Sequence, residues 1–272
     1  MRELIPYIIN GVSVGGQYAL IAIGYTLVYG ILRLINFAHG DVFMVAGLVM
    51  VYTTTAMPFY IALPLVLIVT VALGFLIERV AYKPLRQAPR MSVMISAIGV
   101  SYLLENTATY VTGGQPMTYP TIGILNKTID IVGTSTKLVV IITPVLVLVL
   151  IVLLTQLINH TKIGMAMRAV SKDFETARLM GIKINNVISM TFVIGSALAV
   201  VGSILYFTTY PAITPTAGAM PGLKAFVAAV FGGIGSIPGA VIGAFLIGIC
   251  ETIIKGLPSA WNVSVFSDAC ER

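Results

Sequence analysis

The sequence is poor in charge. Only 10% of its 272 residues are Asp, Glu, Lys or Arg, against about 25% in an ordinary soluble domain. So few charges cannot coat a water-soluble core. With 58% hydrophobic residues and a mean hydropathy of +0.99, the chain reads as an integral membrane protein. Cysteine is nearly absent. Cys250 and Cys270 cannot build a disulfide framework, and no Cys/His spacing suits zinc. Histidine is equally scarce, with His39 and His160 alone. No G-x-x-x-x-G-K-[ST], H-E-x-x-H or G-x-S-x-G occurs, so the usual phosphate loop, zinc protease and serine hydrolase sites are excluded. No catalytic residue, metal site or cofactor is expected.

What charge there is falls in short stretches. The net charge is +6, and ten of the sixteen Lys and Arg lie at Arg33, Arg79–Arg90 and Lys162–Lys183. The positive-inside rule accounts for that bias without nucleic acid as a partner. Between these stretches run apolar segments of spanning length, since a helix needs about 20 residues to cross a bilayer. The expected spans are 7–31, 40–56, 59–78, 91–112, 138–159, 187–208 and 225–250, about seven in all. The first run is too long for a signal-peptide core and has no cleavage pattern. The basic loops 78–90 and 159–186 belong on the cytoplasmic side, which puts 113–137 outside, Arg33 inside and the N-terminus outside. If 223–255 crosses once, the C-terminus is cytoplasmic. The 113–137 loop is long enough for a small hairpin or cap. The expected fold is all-α, a polytopic membrane helical bundle forming one domain over 1–272.

The longest charged island is Gly164–Gly181, GMAMRAVSKDFETARLMG. As one helix it carries Met167, Val170, Phe174 and Ala177 on an apolar stripe. Arg168, Lys172, Glu175 and Arg178 lie mostly off that stripe, and Gly181 suits a left-handed stop. Such a helix either lies on lipid or docks in a partner's groove.

Within the spans, Glu105 is the one clearly intramembrane charge, with Asn106 beside it. Either residue lines a pathway, or Glu105 snorkels or pairs with a neighbouring helix. Gly232, Gly233, Gly235 and Gly239, with Pro238, interrupt the last apolar run. They form either a broken helix beside a pathway or a close helix contact. The linker Ile35–Asp41 holds Asn36, His39 and Asp41. It reads as a turn with local caps, or as a gating element. His39 is expected at the membrane boundary.

Glu175-Thr176-Ala177-x-x-x-Gly181 resembles the E-A-A-x-x-x-G motif of ATP-binding-cassette importer permeases, with Thr176 in place of Ala. The stretches GGQYALIAIGYTLVYGILRLINFAHGDVFM (Gly15–Met44), GMAMRAVSKDFETARLMGI (Gly164–Ile182) and LKAFVAAVFGGIGSIPGAVIGAFLIG (Leu223–Gly248) carry a wider resemblance. It is to the permeases of high-affinity branched-chain amino acid importers, and it covers about residues 8 to 258. The resemblance implies a bacterial inner-membrane subunit with about eight spans in the family. It implies a second permease subunit, two cytoplasmic ATP-binding subunits and an extracytoplasmic binding protein. It also implies leucine, isoleucine and valine as cargo, with urea or short amides carried by close relatives. The coupling helix would seat Met167, Phe174 and Ala177 in the ATPase groove. Arg168, Glu175 and Arg178 would stand at its rim, with Gly181 ending the helix. After Gly256-Leu257-Pro258 the family continues with another span, whereas residues 259–272 here form a polar tail. An ATP-independent channel or carrier, or a membrane scaffold, is the competing reading.

Overall fold

The computed structural model describes residues 4–86, 88–121, 123, 125–131 and 134–260. Ten α-helices carry the described chain. They are α1 (Leu4–Leu32), α2 (His39–Ala56), α3 (Phe59–Ile77), α4 (Arg90–Thr112), α5 (Leu138–His160), α6 (Lys162–Lys172), α7 (Phe174–Leu179), α8 (Ile184–Thr209), α9 (Ala219–Phe231) and α10 (Ile237–Ala260). A π-turn over Glu78–Tyr82 extends α3. Among the described residues, five stretches are long and apolar enough to cross a membrane: Pro6–Leu32, Phe59–Tyr82, Leu138–His160, Ile184–Thr209 and Ile237–Gly256. Helices α2 and α4 form where spans were expected, but their Thr, Asp, Glu and Asn residues keep them outside that group.

Helix α1 is the axis. It packs against α10, α8, α9 and α5, and residues 11–28 are almost wholly enclosed. The cause is in its sequence. Gly11 and Gly15 stand four apart, so one small-residue groove faces α10. A Cβ on Gly15 would come 2.7 Å from the Phe245 Cα, and one on Gly11 would come 2.8 Å from the Ile249 Cα. Lipid tails are as apolar as the helix surfaces, so close backbone contact and its dispersion energy replace the hydrophobic drive of a soluble core. Helices α3 and α5, richest in Leu, Val and Ile, form the exposed flanks.

The last expected span, 225–250, is not one helix. Helix α9 stops at Phe231 and α10 starts at Ile237, and the two pack as an antiparallel hairpin. A Cβ on Gly243 would collide with the Ala228 carbonyl, and Gly232 and Gly239 meet backbone to backbone. Gly233 (φ +91°) and Gly235 (φ +96°) make the turn, which no residue with a Cβ adopts cheaply. The break therefore lies at the end of the bundle, beside Gly30 near the end of α1, and not at mid-depth. It combines the two readings of this stretch: an interrupted helix and a close glycine contact.

One consequence corrects the topology. Gly256 of α10 abuts Tyr7, so the far end of α10 returns to the side on which α1 begins. Residues 223–255 do not cross once. The tail from residue 261 onward lies outside the described residues.

At the end opposite the basic loops, β2 (Thr128–Ile131) and β3 (Thr134–Lys137) form a hairpin. There β1 (Met117–Thr118) pairs with β4 (Ala212–Ile213), just beyond α8. Tyr119 donates its backbone N–H to the Pro211 carbonyl at 2.7 Å and is buried against Phe207. Burial pushes its phenol well above the usual tyrosine range.

Candidate functional site

Three groups of residues carry the chemistry, and they sit at different depths. The first is the charged island at the basic end. It is two helices, not one. Asp173 adopts an extended conformation (φ −153°, ψ 118°) and ends α6. Its carboxylate accepts from the Glu175 N–H at 2.9 Å and from the Thr176 hydroxyl, so it caps α7. These bonds hold the Asp173 carboxyl below the usual carboxylate range. Asp is a strong N-cap because its oxygen satisfies an orphan helix N–H. That local preference overrides the continuous stripe read across it. Thr161 caps α6 in the same way, accepting from the Gly164 N–H at 3.1 Å. Arg168 reaches back to the Asn159 side chain at 2.9 Å, which ties α6 to the end of α5.

The kink reassigns the stripe. Met167, Val170 and Ala177 are buried within this chain, so their side chains have no surface left for a partner. Phe174 (37% exposed), Leu179 (87%) and Met180 (78%) stand outward instead, with Glu175 and Arg178 exposed beside them. Gly181 follows at φ +81°, with the Ile182 N–H closing on the Ala177 carbonyl. Behind α7 lies a cavity of about 880 Å³, lined in part by Arg86, Arg90, Phe174, Arg178 and Lys183. Its wall is pinned by Glu78. That carboxylate is fully buried, pairs with Arg86 and accepts from the Ser189 hydroxyl at 2.7 Å.

The second group is the linker between α1 and α2. His39 does not sit at the membrane boundary. Its ring fills the notch at Gly24, where any Cβ would collide with it, and packs edge-on to Tyr25 with centroids 5.1 Å apart. Gly24 lies eight residues before the end of α1, or about 12 Å along the axis. The chain thus climbs back into the bundle before α2 starts. Neither Asn36 nor Asp41 is the N-cap of α2, a position held by Ala38. The Tyr82 hydroxyl donates to Asn36 Oδ1 at 2.9 Å, and the Ser101 hydroxyl donates to the Asp41 carboxylate at 2.5 Å. The π-turn is what aims Tyr82, since one extra residue rotates everything after it. Against the start of α2 lies the start of α9. A Cβ on Gly40 would come 2.7 Å from the Gly218 carbonyl and 3.2 Å from the Gly222 Cα. Two helix starts therefore meet inside the bundle. Gly218 and Gly222 were missed in the sequence, where they look like ordinary loop glycines.

Glu105 is half-buried on α4, one turn from Ser101 and on the same face, toward Asp41. Asn106 is exposed, and its amide donates to the Tyr102 carbonyl at 2.7 Å. Only Glu105 of this pair approaches the α2 cluster. Gly232 and Gly239 serve helix contact, and Gly233 and Gly235 serve the turn.

The third group was not singled out in the sequence. Glu251 on α10 pairs with Lys224 of α9 at 2.5 Å and with Lys255 at 2.6 Å, and the Tyr18 hydroxyl of α1 donates to it at 3.0 Å. Lys224 and Glu251 bracket the charge-free window 225–250 and so read as its edges. The hairpin folds those edges together.

The chain matches a family model described as branched-chain amino acid transport system / permease component over residues 7–269. It is 41% identical to the high-affinity branched-chain amino acid transport system permease protein BraD of Pseudomonas aeruginosa, across 98% of this chain and 90% of that one. The corresponding protein LivH of Salmonella typhimurium is 41% identical across 96% of this chain and 89% of its own, and LivH of Escherichia coli K12 is 40% identical over the same shares. A mainly helical bundle, with five helices among the described residues long and apolar enough to span, and a match over nearly the whole length lead to one assignment: the chain belongs to the family of branched-chain amino acid transport permeases.

Proposed function

We propose that this chain is the membrane-spanning subunit of an ATP-binding-cassette importer and carries branched-chain amino acids inward with energy from separate ATPase subunits. The observation that carries the reading is the α6–α7 element. It is a short, kinked pair of helices at the basic end, tied to α5 by Arg168 and stopped by Gly181. It leaves Phe174, Leu179 and Met180 outside this chain's own core. Exposed apolar residues ringed by charge mark a protein contact. In this reading Phe174, Leu179 and Met180 enter the ATPase groove, while Glu175 and Arg178 pair at its rim. Met167 and Ala177 support α6 and α7 from behind.

The basic loops then face the cytoplasm and the N-terminus faces out. A second permease subunit completes the pathway, and an extracytoplasmic binding protein docks on the face carrying the two small sheets. The names of the relatives support the cargo class. The cluster of Asn36, His39, Asp41 and Glu105 lies where the starts of α2 and α9 meet, and it gates passage between the two sides.

The test is co-purification of this chain with its ATPase subunits. Leu179→Asp and Glu175→Arg are expected to weaken association at least tenfold, while Lys127→Gln at the opposite end leaves it unchanged. Retention of the ATPase at native affinity by both variants, with normal membrane insertion, rejects the coupling role.

A further inference from the structure

The Glu251 cluster borders a cavity of about 340 Å³ at the end opposite the basic loops. It is lined by Asn10, Ser13 and Val14 of α1, Val140 of α5, and Glu251 and Lys255 of α10, among others. That size falls within the usual range for small-molecule sites, roughly 300–1,000 Å³. Three features point to an occupant. Ser13 is 2% exposed, and its hydroxyl, on the cavity wall, has no hydrogen-bond partner among the described residues. A buried hydroxyl left unpaired is costly unless something fills the role. The cluster holds two ammonium groups against one carboxylate, so it carries one surplus positive charge. The two lysines also differ. Lys224 is held by Glu251 and by Tyr18, over whose ring it sits at 5.7 Å. Lys255 is 71% exposed and tied only along its own helix.

We propose that this cavity binds a free amino acid as its zwitterion, a reading that rests on the amino-acid importer assignment above and adds the residues that touch the cargo. The substrate carboxylate takes Lys255, the cation that can swing. Its ammonium takes the Glu251 carboxylate and the Ser13 hydroxyl. Val14 and Val140 receive the branched side chain. The exchange replaces the Lys255–Glu251 pair with two new pairs, and Glu251 is then shared between Lys224 and the substrate ammonium, so each charged group keeps an opposite charge beside it. A ligand lacking either charged group cannot complete it.

The experiment uses the full chain in nanodiscs of zwitterionic lipid, without binding protein, titrated by calorimetry with leucine, leucinamide and 4-methylpentanoate. Saturable leucine binding is expected, with both single-charge analogues at least tenfold weaker. Lys255→Gln and Glu251→Gln should each weaken leucine at least tenfold, Lys255→Arg should restore most of it, and Lys172→Gln at the other end should change nothing. Glu251→Gln removes a structural ion pair, so if that variant does not fold, Lys255→Gln at the exposed position decides between the outcomes. Absence of leucine binding by folded wild type, equal binding of the analogues, or indifference to Lys255→Gln overturns the proposal. So does displacement of leucine by a small fraction of phosphatidylglycerol without preference over leucinamide, which assigns the cavity to a lipid headgroup. Co-purification of the ATPases from the same preparations separates the outcomes: leucine binding without ATPase association removes the coupling role alone, and the converse removes this site alone.

Discussion

The Glu78 side chain has no exposed surface, and its carboxylate is held by Arg86 and Ser189. Removing one member of such a pair strands the other charge at a cost of about 3–5 kcal/mol. Glu78→Ala is therefore expected to lower the thermal midpoint in detergent by several degrees. The double variant Glu78→Gln/Arg86→Gln should recover much of that loss, because no lone charge remains. A double variant no better than Glu78→Ala would show that packing, not charge pairing, sets the effect. Asp173 is a different case, since it is fully exposed and acts through α7 alone. Its folded pKa lies below the ordinary Asp value. Its capping is thus complete above that ordinary value, about 3.9, and fades as pH falls through the lower folded value. Hydrogen exchange across 174–181, corrected for intrinsic rate, should stay flat from pH 8 to about 5 and rise only in stronger acid. Asp173→Ala should exchange quickly at every pH. Equal protection in Asp173→Ala and wild type would remove the cap from the account of this kink.

Among the elements, the π-turn over Glu78–Tyr82 ties two separate parts of the bundle together. It sends Glu78 to α8 and Tyr82 to Asn36. Deleting Val80, which is 64% exposed, would restore a regular helix and swing the residues beyond it by about 100°. Transport in reconstituted vesicles is expected to vanish, whereas Tyr82→Phe, which loses one hydrogen bond, should keep a substantial fraction. Transport in the deletion variant equal to that of Tyr82→Phe would mean the offset is dispensable. Elements also set how much could be read in advance. The helices were legible, because runs such as 138–159 and 184–223 carry no charge and nothing else suits twenty apolar residues. The kink at Asp173 was not, since the 3.6-residue stripe runs through it and gives no sign of a cap strong enough to break it. The depth of His39 was hidden for another reason. Hydropathy locates where a span begins along the chain, not how far the chain has already turned back into the bundle. Lys224 and Glu251 were hidden because each stands one residue outside a clean apolar window, and only the hairpin turn places them together.

Taken whole, the molecule places the end of α10 beside the start of α1. In a variant without native cysteines, single cysteines at Gln115 and Lys255 should react with a membrane-impermeant maleimide added to intact cells. One at Lys172 should react only after permeabilisation. Protection of position 255 together with labelling at 115 would overturn the hairpin and restore a single crossing by 223–255. The residues proposed to gate passage were legible only by type. Asn36, His39, Asp41 and Glu105 are polar residues in apolar surroundings, but their partners Tyr82, Ser101 and Tyr25 lie on other elements, and no local pattern names them.

The two-residue pairing of β1 with β4 joins segments some 95 positions apart. It has the effect of a clasp. The ends of α4 and α8 are linked through Met117–Ile213 and Thr118–Ala212, with Tyr119 closed over Phe207, so neither helix end can swing outward alone. Any rocking that opens this face must carry α4, α8 and both loops as one lever. A molecule docking on the two small sheets would then act on both helix ends at once.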